Sequence, residues 1–218
     1  MTATLDLFDD GGDEPACLPL GEGAMVLRRF ALPDEDGLLS AVQQVTAQAP
    51  LRHMVTPGGF TMSVAMTNCG DLGWVTDRTG YRYDRLDPES GRPWPRLPEA
   101  FLRLATRAAA QAGFDGFVPD ACLLNRYEPG TRLSLHQDRN ERDYGQPIVS
   151  VSLGIPAVFL FGGATRSHKA QRVPLAHGDV VVWGGPARLH YHGVLPLKEA
   201  GHPLTGRCRI NLTFRKAG

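Results

Sequence analysis

Residues 209–215 read Arg-Ile-Asn-Leu-Thr-Phe-Arg, polar at every odd position and apolar at every even one. Successive side chains of a strand point to opposite faces, so one face of this segment meets an apolar layer and the other something polar. Water is the usual polar partner of such a face. Two arginines, an amide and a hydroxyl also suit a dicarboxylate, because guanidinium groups hold carboxylates through paired hydrogen bonds. Asn125 and Tyr127, again two positions apart, repeat the theme.

Six further β-like runs precede this one: Ala121–Tyr127, Arg132–His136, Ile148–Leu153, Ala157–Phe161, Asp179–Trp183 and His190–Leu195. They are separated by turn signals such as Pro129-Gly130, Gly162-Gly163 and Gly184-Gly185-Pro186. Short strands at this spacing predict a sandwich or barrel. Upstream, Leu38, Val42 and Val45 have helical spacing within 33–48, with Asp34 or Asp36 available as a cap. A second helix is predicted over 97–112, with Pro98 in its first turn and Gly113 ending it. Residues 50–95 show neither period, yet they are rich in Met, Trp and Tyr, which predicts a lid or binding surface. The acidic residues 1–20 read as a flexible lead-in. The expected architecture is therefore mainly β with N-terminal helices: one domain over 21–218, with its β core over 118–218.

Composition narrows the function. The 218 residues carry 23 Lys+Arg and 23 Asp+Glu, so no global field advertises a polyanionic partner. The four cysteines have no Cys-x-x-Cys spacing, which argues against a zinc ribbon and fits a reducing cytosol. The acidic start is unlike a signal peptide, and no apolar run approaches the ~20 residues that cross a bilayer. A cytoplasmic protein with no membrane partner, acting as a monomer, is expected. There is no Gly-x-Gly-x-x-Gly phosphate loop.

His136-Gln137-Asp138 places an imidazole and a carboxylate two residues apart at a strand end, where both can face one side. This is half of a two-His, one-carboxylate triad, which leaves three metal positions open. The chain holds a second such motif, His177-Gly178-Asp179, just before the apolar run Val180–Trp183, where Gly and Asp serve a turn. His136 and Asp138 have a distal partner in the run His190-Tyr191-His192-Gly193, where His190 and His192 compete for the third position.

From about Gly23 to Gly218 the chain closely resembles the bacterial AlkB alkylation-repair dioxygenases. The likeness rests on Met54–Gly59 (MVTPGG), Thr61–Gly70 (TMSVAMTNCG), Asn125-Arg126-Tyr127, Leu133–Asp138 (LSLHQD), His177–Gly185 (HGDVVVWGG) and Asn211–Arg215 (NLTFR). The resemblance implies a double-stranded β-helix (jelly roll) with supporting helices, and a nucleotide-recognition lid over 50–95. It implies iron(II) held by His136, Asp138 and His192, with 2-oxoglutarate and O2 as co-substrates. The 2-oxoglutarate would be held by Asn125, Tyr127, Arg209, Asn211 and Arg215, with Arg209 on the distal carboxylate and Arg215 near the metal-chelating end.

For the substrate, the resemblance implies contacts at Trp74, Tyr81, Arg82, Tyr83, Asn140 and Arg166. A base removed from its stack fits an aromatic site, since chemistry on a base inside a duplex is sterically blocked. Arg52, Arg78 and Arg82 are candidates for phosphate contacts. The implied reaction is oxidative dealkylation of N-alkylated bases of the N1-methyladenine and N3-methylcytosine type. It yields succinate, carbon dioxide and formaldehyde from single- or double-stranded DNA, with RNA as a further candidate. One position departs from the pattern that the resemblance implies: Asn140 stands where an aspartate usually faces the base, so a charge is lost, for which the adjacent Glu141 would compensate only in part.

Overall fold

The computed structural model describes residues 16–218. Two sheets form a jelly roll. The larger has seven antiparallel strands: β1 (Cys17–Gly21), β2 (Ala24–Leu27), β3 (Ala65–Gly70), β6 (Ala121–Tyr127), β8 (Ile148–Gly154), β11 (Val180–Trp183) and β13 (Arg209–Arg215), in the order β1-β2-β11-β8-β13-β6-β3. The smaller has four: β7 (Leu133–His136), β9 (Ala157–Phe161), β10 (Gln171–Leu175) and β12 (His192–Val194), in the order β10-β9-β12-β7. A separate hairpin pairs β4 (Gly73–Asp77) with β5 (Gly80–Asp84).

Helices α1 (Glu35–Gln48) and α2 (Glu99–Gln111) cover the outer face of the large sheet. Leu38, Val42 and Val45 of α1 and Phe101, Leu104 and Ala108 of α2 supply the buried stripes. Pro98 stands at the N-cap of α2 rather than inside its first turn, and Asp34 caps α1 without a side-chain hydrogen bond. The odd-even pattern of the strands sorts residues between two cores. Leu212 and Phe214 of β13, with Val149 and Val151 of β8, face the helices, while Ile148, Leu123 and Trp183 face the small sheet.

Three readings change. The stretch 50–95 holds three strands, and β3 pairs with β6 throughout, so it belongs to the main sheet. Its residues Met66 to Gly70 are buried on both faces, which hides any period of two. Residues 17–20 form β1 rather than a lead-in, and residues 1–15 lie outside the described part. Strand β10 was not anticipated, because Gln171-Arg172-Val173-Pro174-Leu175 has only two buried positions.

The second His-x-Asp motif has the predicted structural role. Gly178 has φ +86°, a left-handed backbone that glycine adopts freely. Asp179 accepts hydrogen bonds from the Arg29 and Ala176 amides and from Arg28. His177 is hydrogen-bonded to Glu35 at 2.8 Å.

Candidate active site

Strand register assembles the first half of the site. β12 pairs antiparallel with β7, with His192 directly opposite His136. Gly193 follows, and a Cβ there would stand 2.7 Å from the Leu133 carbonyl, so only glycine lets β12 lie this close to β7. The His136, His192 and Asp138 ligand atoms all lie within 4.8 Å of one another, and no other such group occurs among the described residues.

Each imidazole is oriented by its own backbone. His136 Nδ1 lies 2.9 Å from the Ser134 carbonyl and His192 Nδ1 lies 3.0 Å from the His190 carbonyl. A carbonyl can only accept, so both Nδ1 atoms carry the proton and both Nε2 lone pairs are free. Those Nε2 atoms stand 3.7 and 3.8 Å from the two oxygens of Asp138. Burial, then the neighbouring His136, pulls the His192 pKa down to about 3, which keeps it a neutral donor. Burial would raise the Asp138 carboxyl, but Arg215 and the two imidazoles outweigh it and hold the group well below the usual range. Two imidazoles and one carboxylate on one side suit a divalent iron with open positions. His190 is not among these ligands; its ring packs on Phe161, 5.5 Å between centroids.

The odd face of β13 supplies the second half. Arg209, Asn211, Thr213 and Arg215 are between 2% and 6% exposed, so this polar face is buried, not solvated. Asn211 donates to Ser150 Oγ and the Val151 carbonyl, and accepts from Thr213 and Asn125. Arg209 donates to Ser152 Oγ at 2.8 Å and lies over the Tyr127 ring, yet its Nε and Nη1 have no partner. Asn125 Oδ1 is also unpartnered. A buried guanidinium with two idle donors and no carboxylate is costly on its own and fits a ligand's carboxylate. Burial pulls its pKa down, and the neighbouring Tyr127 only partly offsets this. Arg215, by contrast, donates through Nε and Nη2 to Asp138 Oδ2 at 2.8 and 2.6 Å.

Behind the His136–Asp138–His192 cluster runs a buried network with no sequence signal. Glu141 accepts from the Tyr83 hydroxyl at 2.6 Å and from Arg188 at 3.1 Å, and stands 3.5 Å from Arg215. Arg188 also donates to the Asp138 backbone carbonyl. Glu141 therefore faces inward and offers the substrate side no charge.

One cavity of about 720 Å³ joins these parts. Trp74, Tyr81, Asn140 and Arg166 line it with the triad and with the polar face of β13, whereas Arg82 and Tyr83 do not. Asn68 fixes Trp74 by accepting from its amide and donating to its carbonyl, both at 2.9 Å. The Trp74 and Tyr81 rings stack 5.7 Å apart. Arg82 is occupied by Asp77 and Asp84, and Arg52 by Asp87 and Glu89. The cations left at the rim are Arg132, Arg139 and Arg166, all exposed and in no ion pair among the described residues.

A jelly roll carrying a two-His, one-carboxylate cluster beside a buried, arginine-bearing polar face suits an oxygenase, and residues 23–215 match the 2OG-Fe(II) oxygenase superfamily, to which this chain belongs. Iron(II), 2-oxoglutarate and O2 are accordingly its cofactor and co-substrates. Within that superfamily it is of the AlkB type. It is 58% identical over 98% of both chains to the alpha-ketoglutarate-dependent dioxygenase AlkB of Escherichia coli (strain K12). It is 46% identical to the AlkB homolog of Caulobacter vibrioides (strain NA1000 / CB15N), over 83% of this chain and 80% of that one. The solved structure of OsALKBH1 superposes with a TM-score of 0.80 at 30% identity, covering 92% of this chain and 99% of that one.

Proposed function

We propose that this chain oxidatively dealkylates N-alkylated nucleobases in DNA, with RNA as a further substrate, and so reverses alkylation damage directly. The observation that carries the reading is the shared cavity: an aromatic wall of Trp74 and Tyr81 faces the His136–Asp138–His192 cluster across a space large enough for a nucleobase. Similarity to proteins named AlkB, and to a Mus musculus protein named nucleic acid dioxygenase ALKBH1, supports the same substrate class.

In this reading His136, Asp138 and His192 hold the iron, which when bound activates oxygen at the expense of 2-oxoglutarate. Arg209, Tyr127 and Asn125 receive the distal carboxylate. Asn211 and Ser150 keep the cradle rigid, and Arg215 serves the metal-proximal end while orienting Asp138. The wall at Trp74 and Tyr81 receives the extruded base, and the rim arginines receive the flanking phosphates. Residues 50–95, apart from β3, serve as the recognition lid of one domain that works as a monomer in the cytoplasm. Tyr83 and Arg82 support that lid from behind: one anchors the hairpin to Glu141, the other braces it internally.

The test is formaldehyde and succinate release from methylated oligonucleotides with iron(II) and 2-oxoglutarate. Release is expected from the wild type and none above background from His136→Ala. Turnover surviving that change would remove the metal assignment, and succinate without formaldehyde on every oligonucleotide would remove the nucleobase.

A further inference from the structure

The cavity contains one carboxylate, Asp138, and that group is engaged by Arg215 and flanked by the two imidazoles. The remaining charged side chains in its lining are Arg132, Arg139, Arg166, Arg209 and Arg215. Glu141, the nearest other acid in sequence, points away into the Tyr83–Arg188–Arg215 network. A cationic base would therefore meet no free counter-charge and several like charges.

Asn140 lies beside the metal cluster on the cavity wall, and Trp74 Nε1 lies 3.2 Å from its Oδ1. An indole N–H can only donate, so this contact fixes which end of the amide is the carbonyl. Trp74 thereby engages one of the two lone pairs of the Asn140 carbonyl and sets the amide so that its Nδ2 amine is the end without a partner among the described residues. Asn140 offers the base a hydrogen-bond donor.

We propose, resting on the dealkylase reading above, that Asn140, held by Trp74, selects neutral lesions with a carbonyl beside the alkylated ring nitrogen. N1-methylguanine and N3-methylthymine are of this class. The cationic amino lesions N1-methyladenine and N3-methylcytosine present an amine at the same edge, so donor would face donor and the positive charge would go unanswered. A site built around one hydrogen bond discriminates through the polar group left unpaired by the wrong partner, an effect on the order of tenfold or more per group.

The experiment uses iron- and 2-oxoglutarate-loaded protein and single-stranded DNA oligonucleotides carrying each of the four lesions. It reads kcat/KM from formaldehyde, and Kd by anisotropy without oxygen. Because lesions differ in intrinsic reactivity, the quantity compared is the ratio of neutral-carbonyl to cationic-amino substrates. Asn140→Asp is expected to lower that ratio by about tenfold in both readouts, since the carboxylate accepts from the amine and answers the charge. Trp74→Phe keeps an aromatic wall but frees the amide to rotate, and is expected to lower the ratio several-fold in the same direction. Dealkylation with ratios unchanged in Asn140→Asp, or raised by it, overturns this inference and leaves the dealkylase reading standing. An unmoved ratio in Trp74→Phe alone overturns the role given to Trp74. No formaldehyde from any lesion overturns the dealkylase reading and this inference with it.

Discussion

Strand β13 and the β4–β5 hairpin both present polar and aromatic groups to the same cavity, by different means. On β13 the functional side chains are buried and spaced by strand geometry, and each neighbour is set by a register: Asn211 against Asn125, Arg209 against Tyr127. The hairpin is a two-stranded ribbon tied down at a few points, chiefly Asn68 on Trp74, Trp94 on the Asp84 carbonyl, and Glu141 on Tyr83. Its Tyr81 is 48% exposed. Two-stranded ribbons are marginal on their own, so these ties determine whether the aromatic wall is in place. The rigid strand suits an invariant co-substrate, and the tethered hairpin suits a substrate that must enter and leave.

The sharpest way to break the comparison is to remove the idle cation. Arg209→Met replaces a buried, unpaired guanidinium with an apolar chain of similar length, under the Tyr127 ring. If the group exists to grip 2-oxoglutarate, the apparent KM for 2-oxoglutarate should rise by about a hundredfold. The ligand-free protein should melt at the same temperature or higher, because an uncompensated buried charge has gone. A lower melting temperature with unchanged KM would mean that Arg209 is structural.

That double requirement also explains what was legible in advance. The alternation over 209–215 announced a polar face, and six of the seven β-like runs fall within a residue of observed strands at both ends, the exception being 190–195 against β12. Solvated and buried polar faces share one period, however, so only the sheet packing above β13 separates them. His192 against His190 likewise turns on register, since both are two residues from the other and only one lies opposite His136. Glu141 and Arg188 were illegible: they meet through tertiary packing 47 residues apart, with no local pattern. The lid arginines Arg52 and Arg82 misled because a cation in a sequence shows no partner. Asp77, Asp84 and Asp87 sit nearby in the chain, but only the folded hairpin and loop bring them into contact.

A smaller effect comes from strand β12. The folded-state pKa of His192 is about 3 against an ordinary 6.5. Between those values the unfolded chain binds a proton that the folded chain does not. Stability is therefore fully present above about pH 6.5 and falls as pH drops toward 3. The melting temperature of the metal-free protein should decline across that window. His192→Asn, which keeps a neutral polar group there, should flatten the decline. An equal slope in the variant would place the acid sensitivity elsewhere.

The smallest effect distinguishes the two sets of arginines outside the chemistry. Arg82 is already neutralised by Asp77 and Asp84, whereas Arg166 stands at the rim over Tyr191 with no acid. A phosphate must displace an existing partner to reach the first but not the second. In binding to unmodified single-stranded DNA, Arg166→Ala should therefore weaken affinity and reduce the slope of log K against log salt by about 0.7, one counterion's share on a single strand. Arg82→Ala should leave that slope unchanged, although loosening of the hairpin could alter affinity for a lesion. Equal slopes in the two variants would return the phosphate contacts to the lid. The rim would then be the wrong edge of the cavity, and the rigid half of the molecule would have no part in holding the strand.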